Sequence, residues 1–128
     1  MAQVKIYGTN SSLKSIQRQF SDLIHSCLVD SLELPDNKRF HRFILLPEED
    51  FMYPSDRSER YTIIEISMFE GRSAEVKKKL IRLIFERSLT LGFDVNDIEI
   101  TIFETPKHHW GIRGLPGDEL NLNYTVDI

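Results

Sequence analysis

Hydrophobic and polar residues alternate at the start of the chain and then recur at helical spacing. The alternating segment 4–8 predicts a short strand, and the polar run 9–12 offers N-cap residues for a helix. The apolar stripe of that helix comprises Leu13, Ile16, Phe20, Leu23, Ile24, Cys27 and Leu28. Pro35 ends the helix, and residues 39–46 alternate again. This order predicts a first βαβ unit.

The second half of the chain repeats this order after a loop. Residues 47–60 are rich in charge, proline and serine and predict that loop. Residues 61–69 predict a third strand, and Ser73 is a candidate N-cap for a second helix that Gly92 can close. A fourth strand follows at 98–103. The inward positions of the second helix are Val76, Leu80, Leu83, Ile84 and Leu91.

Two βαβ units with right-handed crossovers predict an α+β fold, a four-stranded sheet with both helices on one face. We expect the other face to be rich in Phe, Ile and Leu and to need a cover. The segment 112–128 carries hydrophobic residues in an extended, alternating pattern, and such a chain end can add a strand to a neighbour's sheet. We therefore predict a homo-oligomer.

Length and composition narrow the function classes. A chain of 128 residues predicts one domain, residues 1–128, and 41% hydrophobic with 28% charged residues is typical of a globular protein. The net charge of −4 and the scattered basic residues argue against a nucleic-acid partner. No segment approaches the roughly 18 apolar residues of a membrane span, so we expect no membrane partner and a cytoplasmic location. The single cysteine, Cys27, is predicted to be a buried, inert thiol.

No motif indicates a metal or a cofactor. The four histidines lack the i, i+4 spacing of a helical metal site, and no second cysteine is present. The glycine-containing segment 111–117 lacks the spacing of a dinucleotide or phosphate loop. We therefore expect neither metal nor cofactor.

Two arginines stand in positions that suit an anion. Arg72 lies between a strand and the first turn of a helix, where its guanidinium and free backbone N–H groups can bind a carboxylate or a phosphate. A salt bridge to Glu70 or Glu75 is the alternative, and both stay open. Arg42 is a second candidate because it interrupts an apolar strand; a position at an edge or interface explains it equally well.

Three segments resemble the tautomerase superfamily, in the branch near malonate semialdehyde decarboxylase. They are Val-Lys-Ile-Tyr-Gly at 4–8, Tyr-Thr-Ile-Ile-Glu-Ile-Ser-Met-Phe-Glu-Gly-Arg-Ser at 61–73, and His-His-Trp-Gly-Ile-Arg-Gly-Leu-Pro-Gly-Asp-Glu-Leu at 108–120. The resemblance spans nearly the whole chain. It implies a βαβ-βαβ protomer that assembles as a homotrimer, in agreement with the oligomer predicted above.

The resemblance also implies a site. Family members use an N-terminal proline, freed by removal of the initiator Met, as a general acid or base, and arginines hold the substrate carboxylate. Arg72 matches one such arginine, and Trp110 falls where the family places an aromatic wall, although a packed loop aromatic remains the alternative. Glu70 and Lys38 replace an arginine and an aspartate of the decarboxylase, which argues against decarboxylation.

The largest departure from the family is Ala2 at the position of the catalytic proline. If Met1 is removed, Ala2 provides a primary amine whose ordinary pKa is about 8, low enough for burial beside Arg72 to make it a general base. If Met1 remains, the Ala2 nitrogen is an amide. Two hypotheses follow: an isomerase that moves a proton on a small 2-oxo or enol carboxylate, with Ala2 as base, or a catalytically silent trimer that binds a small anion.

Overall fold

A single mixed sheet forms the centre of the molecule in the computed structural model, which describes residues 1–128. Its four strands lie in the order β2-β1-β3-β4. Strands β1 and β2 are parallel, β3 and β4 are parallel, and β1 runs antiparallel to β3. The predicted pair of βαβ units is confirmed. The strand bounds are Ala2–Thr9 for β1, His41–Leu46 for β2, Thr62–Phe69 for β3 and Ile98–Thr105 for β4.

The first predicted helix is divided in two. Helix α1 (Asn10–Leu13) and a 3₁₀ turn precede the long helix α2 (Gln17–Leu32). The short first part places the buried Leu13 against Gly8, where a Cβ atom would come within 2.4 Å of Leu13 Cδ1. Close packing on the first strand therefore accompanies the break in the helix.

The second helix begins and ends close to the predicted residues. Helix α3 (Ala74–Ser88) begins after Ser73, whose side chain accepts a hydrogen bond of 3.3 Å from the Val76 backbone N–H. A 3₁₀ turn then leads to Gly92, which has a φ of +82°. Glycine adopts this left-handed conformation without steric cost.

Both long helices cover one face of the sheet. The core contains Val4, Ile6, Ile64 and Ile66 from the strands, packed against helix residues that include Phe20, Ile24, Leu28, Leu80 and Ile84. The ring of Phe20 stacks on Phe93 with a centroid distance of 4.8 Å. The predicted buried thiol is confirmed, since Cys27 is fully buried and its burial raises the pKa to about 11.

The opposite face of the sheet is more polar than predicted. Lys5 lies between Arg42 on β2 and Glu65 on β3 in one row across the sheet, and its ammonium group lies 3.7 Å from the Glu65 carboxylate. A neighbouring row carries the apolar residues Ile44 and Ile63 on either side of Tyr7. The face is therefore less rich in Phe, Ile and Leu than expected, because a charged row lies beside the apolar row.

The C-terminal segment packs on its own chain. Strands β5 (Gly111–Ile112) and β6 (Leu115–Pro116) form a two-residue hairpin, and no regular strand follows. Val126 is buried in a small cluster with Met1 and Phe69. The predicted extended segment thus closes over the N-terminal end of β1. None of the helices is long and apolar enough to cross a membrane.

Candidate functional site

A cavity of about 250 Å³ lies at the N-terminal end of β1. Strand β1 pairs with β3 so that Ala2 lies opposite Met68, which brings the chain start close to the turn between β3 and α3. The C-terminal segment supplies the other side. The cavity is lined by Met1, Lys38, Arg113, Asn121, Leu122, Asn123 and Tyr124.

The α-amino group of Met1 is the titratable group most strongly affected by this environment. Its nitrogen is in hydrogen-bond contact with the hydroxyl of Tyr124. Burial lowers the amine's pKa to about 5, and the positive charges of Arg72, Lys38 and Lys107 act in the same direction. Each cation disfavours a further positive charge on nitrogen. The amine is therefore neutral at pH 7 and can accept a proton.

Arg72 is buried beside this amine without a full set of partners. Its exposed fraction is 4%, and its only hydrogen bond is from Nη1 to the Phe69 carbonyl oxygen, at 3.4 Å. Both Nε and Nη2 are buried with no acceptor. Burial lowers the Arg72 pKa, although Tyr124 and two nearby carboxylates oppose this effect. Buried donors normally have partners, so the two free N–H groups fit an anionic ligand.

The alternative interpretation of Arg72 is not observed. Its guanidinium forms no ion pair with Glu70 or Glu75. The carboxylate of Glu104, on the neighbouring strand, is instead bound to Lys77 at 2.7 Å. Arg72 therefore retains donors for a group that the chain itself does not supply.

Tyr124 connects the amine to the C-terminal segment. Its hydroxyl contacts the Met1 nitrogen, and burial raises its pKa, so the phenol stays protonated at neutral pH. A protonated phenol can donate a hydrogen bond or a proton to a bound ligand. No role could be assigned to Tyr124 from the sequence, because only the tertiary fold brings the two chain ends together.

When the chain begins at Met1, the α-amino group belongs to Met1 and not to Ala2. Ala2 is 2% exposed, and it belongs to the hydrophobic core. With Met1 present, the Ala2 nitrogen is part of a peptide bond. The predicted role of Ala2 as base thus depends on removal of Met1.

Arg72 is not among the residues that line this cavity, and two other predicted residues lie outside it as well. Trp110 packs edge-on against Phe69 with a centroid distance of 5.1 Å, and its Nε1–H donates to Thr105 Oγ1 at 2.7 Å. Its ring lines a separate groove with residues 108–109 and the hairpin, which fits the packed-aromatic alternative. Arg42 is exposed on the open face of the sheet beside Lys5. Its predicted contact with substrate stays a prediction.

The cavity is rich in positive charge. Lys38 and Arg113 line it, Arg72 and Lys107 act on its amine, and no carboxylate is among the lining residues. No group of three or more His, Cys, Asp or Glu is arranged to hold a metal ion. The arrangement combines a neutral base, a protonated phenol and cationic anchors, which suits proton transfer on an anionic carbonyl compound.

This fold and site define a small α+β protein with acid–base groups at the N-terminus of its sheet. Residues 38–113 match the model of a family described as tautomerase enzyme, and the chain belongs to that family. A 2-hydroxymuconate tautomerase of Pseudomonas putida is 40% identical over 60 residues, which cover 46% of this chain and 95% of that protein. A probable tautomerase of Ralstonia nicotianae is 34% identical over 55 residues, covering 42% of this chain and 79% of that protein.

Solved structures share the fold over nearly the whole chain. A malonate semialdehyde decarboxylase superposes with a TM-score of 0.79 at 17% identity, covering 92% of this chain and 99% of its own. A second such decarboxylase, inhibited by 3-bromopropiolate, is 25% identical with a TM-score of 0.72 and coverages of 84% and 86%. A fused 4-OT symmetric trimer gives a TM-score of 0.77 at 17% identity, with coverages of 91% and 96%. The resemblance found in the sequence is confirmed.

Proposed function

We propose that this protein is an isomerase that moves a proton on a small 2-oxo or enol carboxylate. The N-terminal amine acts as acid and base, and Arg72 holds the substrate carboxylate. One observation carries the proposal: an amine with a pKa lowered to about 5 lies beside a buried arginine that has two unpartnered donors. Membership of the tautomerase family and the similarity to 2-hydroxymuconate tautomerases support it.

The proposed steps follow from these groups. The substrate carboxylate accepts hydrogen bonds from Nε and Nη2 of Arg72. The neutral amine removes the enol hydroxyl proton and returns a proton to the carbon next to the new carbonyl group, so no net charge is transferred. Tyr124 donates a hydrogen bond to the carbonyl oxygen as it forms. After proton return the amine is neutral again, ready for another substrate.

A catalytically silent protein that binds a small anion is the second candidate. It is favoured by Ala2, which stands where the family has its proline, and by Met1, which is only 6% exposed and precedes Ala2 at this end of the sheet. In that case Arg72 would still bind a carboxylate while the amine would move no proton.

We also propose a domain organisation, an oligomeric state and a cellular location for this protein. Residues 1–128 form one domain, and three copies form a homotrimer, as the fused 4-OT structures and the open face of the sheet suggest. The apolar row of Ile44, Tyr7 and Ile63 would lie in the interface. A cytoplasmic location is proposed from the free, buried Cys27.

Ketonisation of phenylenolpyruvate tests the proposed activity. The intact mass of tag-free protein first shows whether its chain begins at Met1 or at Ala2. Activity well above buffer, lost in Arg72→Gln and kept in the exposed control Arg82→Gln, supports the isomerase. Activity that appears only with Ala2→Pro supports the silent protein. If Arg72→Gln changes neither activity nor anion binding, the site assignment is wrong under both hypotheses.

A further inference from the structure

A second cavity, of about 450 Å³, lies between the start of helix α2 and the edge strand β2. It shares no lining residue with the cavity beside the amine. The polar and charged residues that line it include Lys14, Gln17, Arg18, Ser21, Arg39 and His41. We propose that this cavity binds the phosphate group of a small phosphorylated molecule, independently of the chemistry at the amine.

The charge of this cavity is positive although the protein is acidic. Lys14, Arg18 and Arg39 line it, and no Asp or Glu does. Arg39 is paired with Asp22 at 2.5 Å, whereas Lys14 and Arg18 belong to no ion pair. Three cations and one carboxylate leave two positive charges here, in a chain with a net charge of −4. Such a local concentration of positive charge attracts an anion.

A hydrogen-bond chain through Ser21 determines where His41 carries its hydrogen. The Ser21 hydroxyl oxygen accepts from Arg39 Nη1 at 3.5 Å and lies 2.8 Å from His41 Nδ1. Its single hydrogen is donated to Nδ1, since no other acceptor contacts this hydroxyl. Burial lowers the pKa of His41 to about 4, so the ring is neutral at pH 7. The one hydrogen of the neutral ring is therefore on Nε2, which becomes a donor.

Two buried polar atoms of this cavity's residues have no partner in the protein. They are Nε2 of His41 and Oε1 of Gln17. The neighbouring ring of His25, with a centroid distance of 6.0 Å, does not satisfy His41, because its own Nδ1 is also unpartnered. Buried polar atoms normally have partners. The His41 N–H can donate to a phosphate oxygen, and Gln17 can accept from a hydroxyl group of the same molecule.

The charge and the number of donors favour phosphate over carboxylate. A phosphate monoester carries nearly two negative charges at pH 7 and offers three acceptor oxygens, which balance the two positive charges of the cavity. A carboxylate has one charge and two oxygens. Arginine binds phosphate through two N–H groups, and lysine binds it as a point charge. The partly buried ring of Phe43 also lines the cavity and can contact the organic part of the ligand.

Isothermal titration calorimetry of the full chain with glycerol 3-phosphate tests the proposal. We expect one site per chain. Its Kd should rise at least about fivefold between about 50 and about 200 mM NaCl, because salt screens exposed charges. Glycerol, which lacks the phosphate, should not bind. Absence of glycerol 3-phosphate binding, or equal binding of glycerol, would overturn the proposal.

Substitutions on the two sides of the cavity locate the bound phosphate. Arg18→Gln and Arg39→Gln should each weaken binding by about tenfold, as expected for loss of a charged hydrogen-bond donor, and Arg82→Gln, exposed on α3, should not. Arg18→Gln should leave ketonisation of phenylenolpyruvate unchanged, so this proposal and the proposed function can fail separately. Binding that is lost in Arg72→Gln but kept in Arg18→Gln would place the phosphate beside the amine and contradict the proposal.

NMR of the imidazole nitrogens tests the role of His41 without a substitution. Two-bond ¹H–¹⁵N spectra show which ring nitrogen carries the hydrogen. We expect the hydrogen on Nε2 of His41, and a change in the Nε2 chemical shift when glycerol 3-phosphate binds. His108, which is exposed and does not line the cavity, should show no change. A hydrogen on Nδ1 of His41, or an Nε2 signal that stays unchanged at saturation, would contradict the assigned donor.

Discussion

The α-amino group of Met1 contacts the hydroxyl of Tyr124, which lies 123 positions later in the chain. This contact is made possible by the last residues of the chain, since Val126 is buried against Met1 and Phe69. The C-terminal segment thereby removes water from the amine and presents a protonated phenol to it. The chemistry of the N-terminus is therefore set by the C-terminus, and changes in either should affect the other.

Replacement of Arg72 by an apolar residue should raise the stability of the protein and abolish its binding of carboxylates. Arg72→Met removes two buried donors that have no acceptor, and an unpartnered buried polar group costs about 1–3 kcal/mol. We expect the variant to unfold at a higher temperature than the natural protein in anion-free buffer, and to lose the stabilisation that carboxylates such as pyruvate confer on the natural protein. A lower unfolding temperature together with unchanged stabilisation by pyruvate would contradict the assigned role.

The pH dependence of activity should report the amine. Because the pKa is lowered to about 5, the base form predominates at all pH values above that. The value of kcat/KM for ketonisation should fall tenfold per unit as the pH drops below about 5, and it should not rise between pH 7 and 9. A profile that rises through pH 8 would show an amine exposed to water.

The fold could be predicted from the sequence because the relevant signals are local. Alternation at 4–8 and 61–69, the N-cap Ser73 and the terminating Gly92 all act within a few residues, and the structure confirms the resulting strands and helix. The division of the first helix was missed. The division accompanies the close approach of Leu13 to Gly8, a contact that has no periodic signal in the sequence.

The site could be predicted only in part. Arg72 was identified because an arginine between a predicted strand and the first turn of a predicted helix suits an anion. In the structure it is buried with free donors. Arg113 was missed and the role of Tyr124 stayed open, because Arg113 lies in the turn of a two-residue hairpin and Tyr124 in a segment without regular structure. The alternating pattern of residues 112–128 predicted a strand that pairs with the sheet of a neighbouring protomer, whereas the hydrophobic residues of this segment pack largely on their own chain.

A half-buried histidine should make the protein sensitive to acid. Burial lowers the pKa of His41 to about 4 from its ordinary 6.5, with His25 and Arg39 acting in the same direction. The unfolded chain therefore binds the extra proton between these values, so the free energy of unfolding should fall as the pH decreases from 6.5 to 4, by a few kcal/mol at most. His41→Gln should flatten this slope in urea titrations, and His108→Gln, at an exposed position, should leave it. Equal slopes in all three proteins would exclude His41 as the cause.

Gly71 should be essential for the position of the C-terminal segment. Its φ is +131°, and an added Cβ atom would lie 2.7 Å from Asp127 Oδ1 and 3.1 Å from Val126 Cγ1. Gly71→Ala should destabilise the protein by about 1–3 kcal/mol and raise the amine pKa by displacing the segment that buries it. Denaturant unfolding and the pH profile of activity measure the two effects. Gly111→Ala is the control, since its Cβ would meet no atom within 4 Å. Similar behaviour of both variants would mean that Gly71 has no special role.

The open face of the sheet should hold the proposed trimer together. Ile63 is partly exposed at the centre of that face, next to Tyr7. A charge there should oppose burial against another protomer, because desolvating an unpaired carboxylate costs several kcal/mol. Ile63→Asp should shift the mass measured by light scattering from that of three chains to that of one, while Lys78→Asp, exposed on the helical side, should not. A trimer that persists in Ile63→Asp would place the interface elsewhere, and a natural protein that is monomeric at micromolar concentration would remove the trimer altogether.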